Sequence, residues 1–386
     1  MAVVNVYAAR TWGAMGNFVA ATHLGRVLDR DGRHTVTVTA SEDLVPFMRR
    51  AGREIRDMNL AANSREELNR TYWDFARRSA EALPRGFEAI GTAPPIDLGG
   101  MAQDLEQRRP EIAVATKGII ARMLVWAVRE TGLNIKIWHY VTNPGLAEMP
   151  MHHCPDARVT SVPWPENRDR LLELVTLPST SVRVIGPLLA ARSMPPASAN
   201  VRKSHRRPVV LLFNNRSGSV FSDAVEHLLQ ARDDFKVIYL TVDQPSEVAA
   251  LAETFISRGW EIYERLPQER YLQVLAEASR SPGSFLVCKA SPATVYEAAY
   301  QGIPLLALPS GLPQEEWVPE FVQQHGIGRP VYSTDELIRY MDRWRAPGAT
   351  AKIRTACGRF RCTGLNQAQA EENALRVADD LLFEGM

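Results

Sequence analysis

"SFLVCKASPATVYEAAYQGIPLLALP" (residues 284–309) is the stretch that decides the fold. The unbroken apolar run at its start is the pattern of a strand covered on both faces of a parallel sheet. Ser291 then offers a helix N-cap, Pro292 fits the first turn, and Gly302 suits the turn beyond the last helical residue. A second apolar run, "IPLLALP", follows at once. Strand, helix and strand of these lengths make one βαβ unit, whose crossover is right-handed.

Within this helix Thr294 and Glu297 stand three apart and share a face near the amino end, where free N–H groups and the helix dipole attract anions. A carboxylate there can accept hydrogen bonds from both hydroxyls of a ribose. The same residues, with Gln301, equally describe a solvated stripe opposite a packed one of Val295, Ala298 and Ala299. The residues alone leave both readings open.

The alternation extends outward in both directions. After residue 208 it runs through "VVLLFNN", a helix ending "AVEHLLQ", "FKVIYLTV", the helical "PSEVAALAETFISRG", "WEIYERL" and "YLQVLAEA". Before residue 190 it runs through "VVNVYAA", a helix stopped by Gly32, "HTVTVTA", "EIAVAT", the helix "IIARMLVWAVRE" and "IKIWHYVT". The predicted fold is therefore α/β, with two doubly wound domains joined by a linker. The boundaries are 1–190 for a first domain, 191–207 for a linker rich in Pro, Ser and cations, 208–364 for a second domain, and 365–386 for an amphipathic helix that docks on the domains. Ligands of such sheets sit at the carboxyl ends of the strands, so the turns after strands are where chemistry is sought.

Composition agrees with this division. A chain of 386 residues with 45% hydrophobic and 23% charged residues is long enough for two full cores. A net charge of +1 supplies no global field for nucleic acid, and no nucleic-acid partner is expected. The opening "MAVVNVYAAR" has no basic region followed by a long apolar one, so a cytoplasmic protein is expected. The four cysteines are scattered, and Cys357 with Cys362 has no second pair to complete a zinc site, so no metal is expected.

Residues 289–328, "KASPATVYEAAYQGIPLLALPSGLPQEEWVPEFVQQHGIG", resemble the nucleotide-sugar segment of glycosyltransferase family 28, above all its monogalactosyldiacylglycerol synthase branch and more loosely the peptidoglycan N-acetylglucosaminyltransferase. The linked parts are a small-Pro-small-Thr helix start, a Glu three residues on, Gly-Ile-Pro, a Gln-Glu pair and a Val-Pro-aromatic pattern. The resemblance implies a GT-B type fold, two facing Rossmann-like domains with a cleft between them, of which 1–190 is the acceptor-binding domain and 208–364 the nucleotide-sugar-binding domain. It implies that Glu297 holds the ribose of UDP, that Ser291, Ala293 and Thr294 lie by the diphosphate, and that Gln314 and Glu315 reach the hydroxyls of the donor sugar. "LLFNNRSGSVF" (211–221) looks like the family's second glycine-rich turn, in which N–H groups of Ser217, Gly218 and Ser219 cradle phosphate with Arg216 as an added charge, although Asn214 and Asn215 stand where glycines are usual. "YERLPQERY" (263–271) sits where relatives hold uracil through the backbone, which makes Leu266 a candidate.

In the first half the resemblance is one of layout. The loop "TWGAMGN" keeps Gly13 and Gly16, counted with the donor-binding residues, but has Asn17 where relatives carry a His. An amide cannot take a proton near neutral pH, whereas imidazole can. Replacement candidates for a general base are Glu148, His152 and His153 in "VTNPGLAEMPMHH" (141–153), with Asp97 further off and His139 read as a satisfied core residue. The expected activity is metal-independent, inverting hexosyl transfer from a UDP-sugar co-substrate, with no cofactor. A soluble acceptor from specialised metabolism, an aglycone or a nucleobase, is placed slightly ahead of a diacylglycerol or polyprenyl lipid. For the lipid case, "FMRRAGREIRDM" (47–58) offers a basic face for peripheral membrane contact. A UDP-sugar epimerase of the same shape, and a binding protein that has lost catalysis, are the rivals.

Overall fold

Two parallel sheets carry the chain, and each is the core of its own compact unit. The computed structural model describes residues 1–10, 16–30, 32–61, 67, 70, 71, 74, 96–152, 154–174, 181–189, 207–214, 222–241, 252–289, 291–310, 312, 315–346 and 348–383.

The first unit comprises residues 1–58, 70–188 and 366–386. Its elements are β1 (Ala2–Ala8), α1 (Gly16–Asp29), β2 (His34–Ala40), α2 (Ser41–Leu44), α3 (Pro46–Ala61), α4 (Gly99–Arg108), β3 (Ile112–Ala115), α5 (Gly118–Thr131), β4 (Lys136–Tyr140), a 3-10 helix (Leu146–His152), β5 (Val159–Val162), α6 (Pro165–Leu174) and β6 (Val182–Val184). A terminal helix (Gln367–Phe383) completes it. The strand order is β2-β1-β3-β4-β5-β6, every pair parallel.

Successive side chains of a strand point to opposite faces, and here both faces are dry. Val4, Val6 and Ala8 join Trp138 and Tyr140 in a core that the terminal helix covers with Ala374, Ala378 and Leu381. Tyr7 and Ala9 join Ala113 and Ala115 in a second core covered by Ile120, Leu124 and Ala127 of α5. The terminal helix is tied to this unit by polar contacts as well. Gln367 Nε2 donates to the Pro187 carbonyl at 2.9 Å, and Arg30 pairs with Glu371 at 2.8 Å.

The second unit comprises residues 59–69 and 189–365. Its elements are β7 (Val209–Asn214), α7 (Ser222–Gln230), β8 (Lys236–Thr241), β9 (Glu261–Glu264), α8 (Gln268–Ser279), β10 (Phe285–Lys289), α9 (Pro292–Gln301), β11 (Leu305–Leu308), α10 (Val318–Gln324), β12 (Gly328–Pro330), α11 (Thr334–Trp344) and α12 (Ala351–Thr363). The sheet runs β12-β11-β10-β7-β8-β9, again all parallel. Counted from β7, this is the order 3-2-1-4-5-6 of dinucleotide-binding folds, and the order reverses between β7 and β10. In the first sheet the reversal lies between β1 and β3. All residues of the expected 191–207 linker except Arg207 lie outside the described residues.

The βαβ unit read from residues 284–309 is present as β10, α9 and β11. Ser291 has extended backbone (φ −89°, ψ 153°) and its side chain accepts from the Thr294 N–H at 3.5 Å, while Pro292 opens the helix. Gly302 closes it at φ 76°, a left-handed conformation that costs glycine nothing. Strands β5 (VTSV), β6 (VRV) and β12 (GRP) were not legible in advance, being short and without a continuous apolar run.

Candidate functional site

The polar face of α9 is not solvated. Thr294, Glu297 and Gln301 are 6%, 5% and 3% exposed, as dry as the Val295, Ala298 and Ala299 face opposite. This removes the solvated-stripe reading. A charged side chain with no structural partner of opposite sign is costly to bury, and Glu297 carries that cost. Burial pushes its pKa up to about 8, opposed by one hydrogen bond that Gln268 Nε2 donates to its Oε1. The buried Tyr271 hydroxyl is pushed well above its ordinary pKa by burial and by the Glu297 charge.

Gln268 reaches this carboxylate because the chain turns sharply after β9. Arg265 adopts φ 47°, its N–H donates to the Thr241 carbonyl at 2.8 Å, and the half-buried Leu266 and then Pro267 lead directly into α8. The turn expected to lie beside a base therefore also delivers a hydrogen-bond donor to the expected ribose carboxylate. Sequence reasoning missed Gln268. The only available signal was its place inside "YERLPQERY".

At the amino end of α9 the Ser291 and Thr294 hydroxyls lie 2.9 Å apart. Ser291 and Ala293 are half-buried, so this end is accessible. It follows the carboxyl end of β10 at the reversal point of the sheet. Across the adjacent strand end of β11, Glu315 is buried and pairs with Lys289, the last residue of β10, at 3.1 Å. Lys289 is a second residue the sequence reading passed over. The expected phosphate-cradling residues Arg216, Ser217, Gly218 and Ser219, together with Gly13, His153 and Gln314, lie outside the described residues.

In the first unit the ends of β1, β3 and β4 bring a second polar group together. Asn17, near the start of α1, accepts a hydrogen bond at Oδ1 from the Thr142 hydroxyl just beyond β4. The neighbouring Asn143 donates from Nδ2 to Glu148 Oε2 at 3.0 Å and accepts at Oδ1 from the Gly145 N–H at 3.3 Å. Asn167 pins the same loop by donating to the Pro144 carbonyl at 2.7 Å. Glu42 accepts from the Arg10 N–H at 2.7 Å beside the end of β1. Lys117, just after β3, has its ammonium pKa lowered by burial, with the charges of Glu148 and Glu42 acting in the opposite sense. Gly118 is required here, since a Cβ would stand 2.0 Å from the Met151 carbonyl oxygen of the loop that carries Glu148.

His152 is placed differently. Its ring lies 5.4 Å from that of His139, and both are buried. Burial holds His152 well below the ordinary imidazole range, with the charges of His139, Lys117 and Arg122 acting the same way. His139 is a core residue, as read. Burial and the Arg122 charge push its pKa down to about 3, opposed by a hydrogen bond to the His152 backbone. Asp97 is exposed and accepts from the Gly99 N–H at 2.9 Å, where α4 begins.

No protein-family model matches the chain. No curated protein matches it significantly. Solved structures do match, over essentially their full length. A glycosyltransferase from Rickettsia africae is 12% identical at a TM-score of 0.59, covering 100% of this chain and 99% of its own. A UDP-glucosyltransferase from Polygonum tinctorium capable of glucosylating indoxyl is 12% identical at 0.61, covering 99% and 98%. MnaA of S. aureus, solved with UDP, is 14% identical at 0.55, covering 100% and 97%. At these identities the likeness speaks for architecture, and together with the two six-stranded parallel sheets it gives the chain the fold of the GT-B glycosyltransferases, built from two Rossmann-like domains.

Proposed function

We propose that this protein transfers a hexose from a UDP-sugar to a small-molecule acceptor with inversion at the anomeric carbon, as the resemblance of residues 289–328 to family 28 implies. The observation that carries the reading is the buried Glu297 carboxylate, held on α9 beside the reversal point of the second sheet and paired with no cation among the described residues. Ribose hydroxyls supply the donors that such a carboxylate lacks. That two structural neighbours were solved with UDP or act on UDP-sugars by their own descriptions is in keeping with this.

In this reading the ribose diol of UDP hydrogen-bonds to Glu297, taking over from or joining Gln268. The amino end of α9, with its Ser291 and Thr294 hydroxyls, faces the diphosphate, with Arg216 as the added charge that the resemblance implies, so that no metal is called on. Glu315 accepts from hydroxyls of the sugar. Glu148 is preferred as general base over His152, because it stands with Asn17 and Asn143 at the strand ends while the His152 ring packs on His139. It would take the acceptor's proton as the acceptor oxygen bonds to the anomeric carbon and the bond from that carbon to the UDP oxygen breaks. UDP leaves with the electron pair, and the proton rests on Glu148. A soluble acceptor remains preferred over a lipid. No helix among the described residues is long and apolar enough to cross a membrane.

The test begins with titration of the protein with UDP, GDP and TDP, followed by assays of UDP release from UDP-sugars with and without an acceptor panel. The proposal expects UDP to bind tightest and release to depend on acceptor. Epimerised UDP-sugar formed without acceptor would replace transfer by epimerisation, and binding with no turnover against any acceptor would reduce the site to a receptor.

A further inference from the structure

The Lys289–Glu315 pair has a role to fill beyond its own stability. Its side chains are 3% and 9% exposed, and Nζ stands 3.1 Å from Oε2. The loop that bears Glu315 is already tied down locally. The Glu315 N–H donates to the Leu312 carbonyl at 2.9 Å, and the Leu312 N–H donates to Ser310 Oγ at 3.0 Å. Lys289 stands in register with Leu308, so the pair bridges the carboxyl ends of β10 and β11, two residues before Ser291 opens α9. Well-packed apolar residues of similar volume often hold such a place at no loss of stability. What they cannot provide is a carboxylate of fixed position at the strand ends.

We propose that Lys289 is a positioning residue for the donor sugar, fixing the Glu315 carboxylate at the strand ends where it accepts hydrogen bonds from hydroxyls of the transferred hexose. This rests on the donor-site reading above. Lys289 pairs by charge with Oε2 of Glu315 and leaves Oε1 to the sugar. Its loss leaves the buried carboxylate unpaired and no longer held at the strand ends, and the acceptor of the sugar's hydroxyls is lost. The ribose contact through Glu297 is a separate one and stays.

The test is calorimetric titration of the full chain and its Lys289→Met, Lys289→Arg and Glu315→Gln variants with UDP, UDP-glucose and UDP-galactose. The preferred UDP-hexose should bind about tenfold more weakly to Lys289→Met and Glu315→Gln, the loss of one charge-assisted hydrogen bond. Binding of UDP itself should stay within about twofold, discrimination between the two hexoses should shrink, and Lys289→Arg should restore most of it. Equal weakening of UDP and UDP-hexose, or an unchanged hexose affinity, would overturn the inference. Should Lys289→Met fail to fold, Glu315→Gln and Lys289→Arg carry the same test, since the proposal requires the split in the first and its absence in the second. A wild-type protein that binds no UDP overturns the donor site itself, whereas one that binds UDP and shows no split in the variants overturns only this role of Lys289.

Discussion

Replacing Glu297 by Gln should make the protein more stable in alkali while removing its nucleotide site. Burial raises the carboxyl from its ordinary 4.5 to about 8 in the folded chain. A carboxyl raised on folding contributes stability that is fully present below the unfolded pKa and is lost as pH rises through the folded one. The whole loss corresponds to about 5 kcal/mol at about 1.4 kcal/mol per pKa unit. At pH 5.5 about 1.4 kcal/mol of it has been incurred, and by pH 8.5 nearly all. Glutamine keeps the shape, the hydrogen bond to Gln268 after an amide flip, and no titration. Its stability relative to wild type should therefore rise by roughly 3 kcal/mol between pH 5.5 and 8.5. Urea unfolding of the full chain at the two pH values, followed by a tryptophan signal, measures this difference. A variant that gains nothing at pH 8.5, or loses equally at both, would show that the carboxylate sits comfortably ionised where it is, and the argument from its burial would fail.

The general-base assignment predicts that Glu148→Gln lowers kcat by about 10²-fold or more while the UDP affinity stays unchanged; an equal loss in UDP binding would move Glu148 out of that role. Helix α9 should lose about 1 kcal/mol on Ser291→Ala and about 1–2 kcal/mol on Gly302→Ala, because a Cβ is strained at φ 76°; thermal unfolding checks both, and a neutral Gly302→Ala would contradict the cap. In the first unit burial holds His139 and His152 neutral, so their contribution is lost as pH falls below 6.5, for His139 down to about 3. Wild type should lose about 1.4 kcal/mol per pH unit per titrating imidazole in that window, and His139→Leu should flatten the slope in acid denaturation.

Much of this architecture was legible because parallel strands covered on both faces read as continuous apolar runs. "AVVNVYA", "VVLLFN", "FLVCK" and "LLAL" are of that kind. "VTSV" and "GRP" are not: they join the sheets through backbone pairing with neighbours already in place, and no local pattern marks them. The site divides in the same way. The cap, the first-turn proline and the closing glycine of α9 act through the local backbone, so the sequence shows them. Whether its polar face is wet depends on α8, whose Gln268 comes from 29 residues away, and helical periodicity holds no record of that. The Lys289–Glu315 pair and the packing of His152 on His139 are likewise meetings of distant residues, seen only once the strands are in order.

The recognition of a ribose diol by Glu297 is tested most directly with UDP and its 2′-deoxy analogue, titrated calorimetrically into wild type and Glu297→Gln. Titrated above pH 8, where Glu297 ionises, wild type should prefer UDP by about tenfold, the worth of a hydrogen bond to a charged acceptor, and the variant should bind the two alike and weakly. Equal affinities in the wild type, or a preference that survives in the variant, would contradict the assignment.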